Sequence, residues 1–298
     1  MITLENGHLV LTIRPDLGGR IENLVDRRTG RTWLWHPDVY EPAPRTLPIG
    51  ASFDDHWTGG LDEVFPNDAA GRFGGRNLVD HGELWSRPWT VLETSPYLVT
   101  MRLACRTVPV VVEKAIEVDP DRPEARLHYR LDHRGDAPLP FLFKLHAAVR
   151  VAAGDRILLP PCTVEPVTLD FSTIVGRAEP TPWPIAHDAA GEPVRLDLVP
   201  PREANAQEFL YASGLGDGFC GVEDGRGNGE LLFRFDLAAF PCVWLFQSYG
   251  RWRGHYVVVL EPATTMPYDL HEALARGTCA VLEPGATRAL DVAVSLTA

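Results

Sequence analysis

Two side chains of this sequence stand where they could move protons near neutral pH. His146 lies within Phe141-Leu-Phe-Lys-Leu-His-Ala-Ala-Val-Arg150. In an extended chain successive side chains alternate, which sets Lys144, His146, Ala148 and Arg150 opposite Phe141, Phe143 and Leu145. If that face lines a cleft, the imidazole can serve as a general acid, because its ordinary pKa is close to working pH. The competing reading is a solvent-facing histidine on a polar strand face. Glu261 follows Tyr256-Val-Val-Val-Leu260 and precedes Pro262. That run is apolar on both faces and reads as a strand covered on both sides, with Pro262 expected to end its ladder. A carboxylate at the end of a buried strand is partly desolvated, which raises its pKa and makes it a usable general base. The alternative is an ion pair with an arginine at the sheet rim.

His81 stands in Asp80-His-Gly-Glu-Leu-Trp85, with Trp89 close behind. An indole face beside polar donors suits a sugar ring, which is apolar on its C–H faces and polar at its rim; packing in the core is the plainer account of any one tryptophan. Asp54-Asp55-His56-Trp57 offers metal-ligating types but no second histidine at ligand spacing, so no metal is expected. G-x-S-x-G, Walker and dinucleotide-binding glycine motifs are absent. The glycine-rich segments 214–218 and 224–229 each read as hairpin turns between strands.

The elements that must position these residues are mostly strands. Leu9 to Ile13, Ile21 to Val25 and Ala125 to Asp132 carry strand signals, the last with Ala125, Leu127, Tyr129 and Leu131 on one face. Residues 36–80 and 176–206 are rich in Pro, Gly and polar types and read as long irregular loops, a kind of segment that is usually functional in a compact domain. Only Tyr268 to Arg276, closed by Gly277, reads as a helix. The 298 residues include 26 Gly and 26 Pro, which favours turns and short strands. The expectation is an all-β fold, a large antiparallel β-sandwich, in one domain spanning 1–298. A net charge of −12 argues against nucleic acid or an anionic membrane as partner. Five cysteines without C-x-x-C argue against a disulfide framework or thiolate zinc site. The opening residues lack the pattern of a signal peptide and no apolar run reaches membrane-span length, so a cytoplasmic location is expected.

Taken in order, these pieces resemble the aldose 1-epimerase (galactose mutarotase) family and its hexose-6-phosphate mutarotase relatives. Arg14-Pro-Asp-Leu-Gly-Gly-Arg-Ile21 resembles the family's opening strand pair, Gly59-Gly-Leu-Asp-Glu-Val-Phe-Pro66 its Gly-Gly…Phe-Pro segment, and Asp80-His-Gly its His-Gly motif. Leu260-Glu-Pro, with Thr264, Pro267-Tyr-Asp, Gly277 and Pro284-Gly285, resembles the C-terminal block that holds the catalytic Glu. The resemblance implies a β-supersandwich and interconversion of sugar anomers without a cofactor. By it Glu261 would take the anomeric proton and His146 would protonate the ring oxygen. His81, with Arg72 or Arg76, would hold sugar oxygens, and Gln247 and Trp252 are weaker substrate-binding candidates.

The sequence departs from the pattern at Trp85, where relatives often have Arg, and at Lys144, where free-sugar epimerases often have Asn. The relatives' upstream substrate Asp finds no match. Lys144, Arg72, Arg76, Arg251 and Arg253 could recognise an anionic or phosphorylated sugar. Two other readings stay open: a non-enzymatic carbohydrate-binding protein on the same fold, and a domain acting on acidic polysaccharide. The expected partner is a small sugar, bound by a monomer or a homodimer.

Overall fold

The computed structural model describes residues 1–40 and 47–297. Alternating apolar side chains give the strands their inner faces. In Glu124–His133, Ala125, Leu127, Tyr129 and Leu131 point inward while Arg126 and Arg130 stay exposed. That strand lies inside an eight-stranded antiparallel sheet, between Val110–Val118 and Thr287–Thr297. A ten-stranded antiparallel sheet faces it and runs from Ile2–Glu5 to Thr181–Pro182. The main core fills the space between the sheets. Leucine, valine, isoleucine and phenylalanine dominate it, and their burial is the chief stabilising term.

The middle of the larger sheet carries the site. Its order there is Arg20–Asp26, Leu61–Val64, Lys144–Val149, Tyr256–Ala263, Cys242–Tyr249 and Ala206–Ser213. Leu61–Val64 lies within the segment that the sequence marks as irregular. It escapes a pattern-based reading because it holds Asp62 and Glu63 side by side, and both are buried. Residues 41–46 of the segment lie outside the described residues; the rest of its described part is mostly irregular, apart from the helical turn Phe53–His56 and the small hairpin Gly71–Phe73 with Arg76–Leu78. It lies over the outer face of the sheet, where Trp35, Phe53, Trp57 and Trp85 form a second apolar cluster with Ala148, Val257 and Val259.

Three other expectations need correction. Pro262 does not end its strand, which runs on to Ala263 with Pro262 opposite Val243. The missing N–H shows on the other side instead, where the ladder to Lys144–Val149 skips from Lys144↔Ala263 to Ala147↔Leu260. Residues 214–218 are not a hairpin turn: they carry the chain from the larger sheet at Ser213 to the smaller one at Phe219. Residues 224–229 do close a hairpin, and residues 176–206 include a second one, Ile185–His187 with Pro193–Arg195. The helix is Leu270–Arg276, capped by Asp269 and ended by Gly277 at φ 71°. Among the described residues no helix is long and apolar enough to cross a membrane.

Candidate active site

The strand register brings the two proton-moving candidates together. Lys144↔Ala263 and Ala147↔Leu260 set His146 and Glu261 at one level on neighbouring strands. Period-2 geometry then puts Lys144, His146, Val259 and Glu261 on the sheet's outer face. All four line a cavity of about 200 Å³ beneath the covering segment, together with Asp68, His81 and a wall of Phe53, Trp57, Phe171, Phe209, Phe246 and Trp252. The solvent-facing alternative for His146 therefore fails: the residue is 6% exposed, and Lys144 and Glu261 are each 1% exposed. A rim arginine does not pair Glu261 either; its partner is Lys144.

Lys144 is the hinge of the charge arrangement. Its Nζ lies 2.5 Å from Glu261 Oε2 and 2.7 Å from Asp68 Oδ1, and 4.1 Å from the centre of the Trp244 ring. Burial works against the ammonium, but the two carboxylates outweigh it and raise its pKa. Lys144 is thus a cation compensated by two carboxylates. Burial pushes Glu261 up to about 7, although Lys144 opposes the shift. Asp68 is held below its ordinary value: burial raises it, and Lys144 and His81 more than offset that.

The Asp80-His-Gly motif has a local reason. Gly82 holds φ 63°, and a Cβ there would stand 1.8 Å from the Phe65 carbonyl oxygen. Only glycine allows that approach. His81 itself takes the left-handed φ of 53°, which is uncommon for a side-chain-bearing residue. Its Nδ1 lies 2.8 Å from Asp80 Oδ1, and its Nε2 lies 3.5 Å from Asp68 Oδ1. Asp80 also accepts the Phe53 backbone N–H at 2.7 Å, which pins the Phe53–His56 turn to the same motif. Burial depresses the His81 pKa, but Asp68 and the Asp80 hydrogen bond prevail and leave it raised. His146 shifts the other way. Burial, then Lys144, then His81 drive it well below the ordinary histidine value.

The remaining sequence candidates divide. Trp252 lines the cavity. Gln247 does not: it is fully buried on the opposite face from Phe246 and donates to the Leu196 carbonyl at 2.9 Å. Arg72 and Arg76 sit exposed on the Gly71–Phe73/Arg76–Leu78 hairpin, outside the cavity. Arg253 is an exposed partner of Asp55 at 2.8 Å. Trp85 stands behind the wall, edge-on to Phe53. Sequence reasoning missed Asp68, Phe53, Trp57 and the phenylalanines of the wall. Among the described residues no His, Cys, Asp and Glu cluster is arranged to hold a metal.

The fold is the galactose mutarotase-like supersandwich, all-β and antiparallel. A Synechocystis protein is similar over 99% of this chain and 95% of its own, with 17% identity and a TM-score of 0.74. A galactose mutarotase related enzyme from Lactobacillus acidophilus is 13% identical over 100% of this chain and 97% of its own, with a TM-score of 0.70. A galactose mutarotase-like protein from Lactobacillus casei is 16% identical, each chain fully covered, with a TM-score of 0.69. A family described as a domain of unknown function, DUF4432, matches residues 202–296, the span that holds Trp252 and Glu261. No curated protein matches the chain.

Proposed function

We propose that this protein is a mutarotase, which interconverts the α and β anomers of an aldose by acid–base opening of the ring. The observation that carries the reading is Glu261: a buried carboxylate with a pKa near 7, on the floor of a small aromatic-walled cavity, level with one imidazole and near a second. Glu261 takes the proton of the anomeric hydroxyl, the C1–ring oxygen bond breaks as the C1 carbonyl forms, and an acid on the other side protonates the ring oxygen. Rotation about C1–C2 and reclosure from the other face exchange the anomers. An acid and a base so placed each contribute about 10²–10⁴-fold.

The aromatic wall supports a sugar whose C–H faces stack on it, while the polar floor meets the hydroxyl rim. The charges support a free aldose over its phosphate. Lys144 is already paired with two carboxylates, and Arg72 and Arg76 lie outside the cavity. Two-dimensional exchange NMR between anomers, on D-glucose, D-galactose and their 6-phosphates, tests the reading. Exchange above the spontaneous rate that is lost in Glu261→Gln supports it. Sugar binding with no acceleration by the wild type would turn the assignment to a carbohydrate-binding protein.

A further inference from the structure

The two imidazoles of the cavity stand in opposite surroundings. His81 lies between two carboxylates, with Nδ1 2.8 Å from Asp80 and Nε2 3.5 Å from Asp68. Its ring lies flat on Phe53, with centroids 4.1 Å apart and planes 7° apart, an arrangement that suits a cation over an aromatic face. Lys144 is the opposing charge, and it is itself held by Asp68 and Glu261. Among the described residues His146 pairs with no carboxylate. It meets Phe53 and Trp57 edge-on, at 5.0 and 5.2 Å between centroids, and its Nδ1 is buried without a hydrogen bond. Lys144 and His81 both disfavour a charge on it, the His81 ring at 6.3 Å.

Building on the mutarotase reading, we propose that His81 is the general acid that protonates the ring oxygen through Nε2, and that His146 is a neutral hydrogen-bonding group that orients the sugar. The 3.5 Å gap to Asp68 is longer than a good N–H···O bond, so the Nε2 proton is held close without being committed. A ring oxygen entering beside it can take it. The electron pair of the C1–ring oxygen bond goes to that oxygen, and the pair of the O1–H bond completes the carbonyl as Glu261 accepts the proton. Recyclisation returns both protons.

His81, Asp68, Lys144 and Glu261 form a continuous chain through contacts of 3.5, 2.7 and 2.5 Å. When Glu261 gains its proton, one negative charge leaves Lys144, the cation's field at His81 is less compensated, and His81 releases its own proton more readily. The protonation states agree. Glu261 is mostly ionised above about pH 7. His81 is raised above its ordinary value by the carboxylates beside it, and His146, driven well below its own, has lost its proton there. The rival pairing is protonated Glu261 as the acid with neutral His146 as the base; it predicts activity that falls as pH rises through about 7.

Imidazole ¹⁵N NMR of the wild type across about pH 5–9, assigned with His81→Gln and His146→Gln, is read together with anomer exchange on D-glucose and D-galactose. We expect His81 to be an imidazolium at neutral pH and His146 to be neutral. His81→Gln is expected to lower kcat by about 10²–10⁴-fold and erase the alkaline limb of the rate profile. His146→Gln is expected to act mainly on KM. Asp80→Asn keeps both imidazoles and is expected to move the alkaline limb to lower pH, because it removes a charge that favours the His81 proton. A charged His146, an alkaline limb that survives in His81→Gln, or no movement in Asp80→Asn overturns the proposal. If the NMR gives the expected states but the wild type accelerates exchange of neither sugar, the mutarotase reading falls, and the acid role of His81 falls with it.

Discussion

The molecule buries two lysine–glutamate pairs, one on each face of the same sheet. Lys114 and Glu63 meet between the sheets, both fully buried. Lys114 also donates to the Gly19 carbonyl at 3.1 Å, and the Tyr129 hydroxyl donates to Glu63 at 2.6 Å. Lys144 and Glu261 meet on the outer face and border a cavity. The two glutamates reach opposite faces because Glu63 sits opposite Leu145 in the register, one residue away from the strand position of His146. The first pair is enclosed by core side chains. The second is reached by whatever fills the cavity. Buried charge alone therefore does not mark a site here; a buried charge that borders space does.

The largest expected effects cross over between the two pairs. Glu261→Gln should cut anomer exchange by about 10²–10⁴-fold while the protein stays folded. Lys114→Met should do the reverse. It removes the buried cation that Glu63 pairs with between the sheets and should cost about 3–5 kcal/mol of stability, with exchange per folded molecule little changed. Urea unfolding and exchange NMR on both variants decide it, and a Lys114→Met protein as stable as the wild type would break the contrast.

Lys144→Met is the intermediate case. It removes the cation from two buried carboxylates, so stability should fall, but by less than for Lys114→Met because water in the cavity can reach the site. Lys144 opposes the upward shift of Glu261, so its loss should raise that pKa further. The acid limb of the rate profile should then move to higher pH. An unmoved limb would mean that Lys144 does not act on the base.

A smaller effect lies in stability against pH. Glu261 rises from 4.5 to about 7 on folding, so its protonated form stabilises the fold. That contribution is fully present below the unfolded value near 4.5 and is lost as pH rises through about 7. The size is on the order of 3 kcal/mol. Asp62, also pushed up to about 7 by burial, has the same sign. His146, whose pKa falls on folding, has the opposite one. Glu261→Gln should therefore show a weaker loss of stability than the wild type between about pH 5 and 8, as read from melting temperatures across that range.

The same contrast shows why some of this was legible in the sequence and some was not. His146 and Glu261 stand on strands with plain hydrophobic patterns, so the face of each follows from period 2, whereas the burial of His146 comes only from the segment that covers it; the mid-chain alternation of Ala125 to Leu131 fixes the sheet character. The partners are another matter. Asp68, Phe53 and Trp57 lie in a segment without periodicity, and only tertiary folding lays it over the outer face. Leu61–Val64 hides because adjacent acids imply solvent, yet Glu63 finds Lys114 and Asp62 stands near Arg20. The opposite surroundings of the two histidines depend on which carboxylates arrive from elsewhere in the chain, and no local pattern carries that.

The smallest expected effect sharpens the contrast from outside the cavity. Arg72 and Arg76 come close in sequence to His81, and spacing alone cannot say which way their hairpin turns. Its register, Arg72↔Asn77 and Phe73↔Arg76, packs Phe73 and Arg76 over a shallow depression lined by Pro66, Val108, His133 and Pro140. The Arg72 carbonyl accepts from the exposed His271 Nε2 at 3.2 Å, and neither guanidinium borders the cavity. Arg72→Ala and Arg76→Ala should each leave kcat/KM on free aldoses and on their 6-phosphates within about twofold of wild type, as distant exposed substitutions usually do. A selective loss on the phosphates would show that the hairpin closes over the cavity when an anionic sugar binds. The boundary drawn here between the compensated floor and the exposed arginines would then have to move.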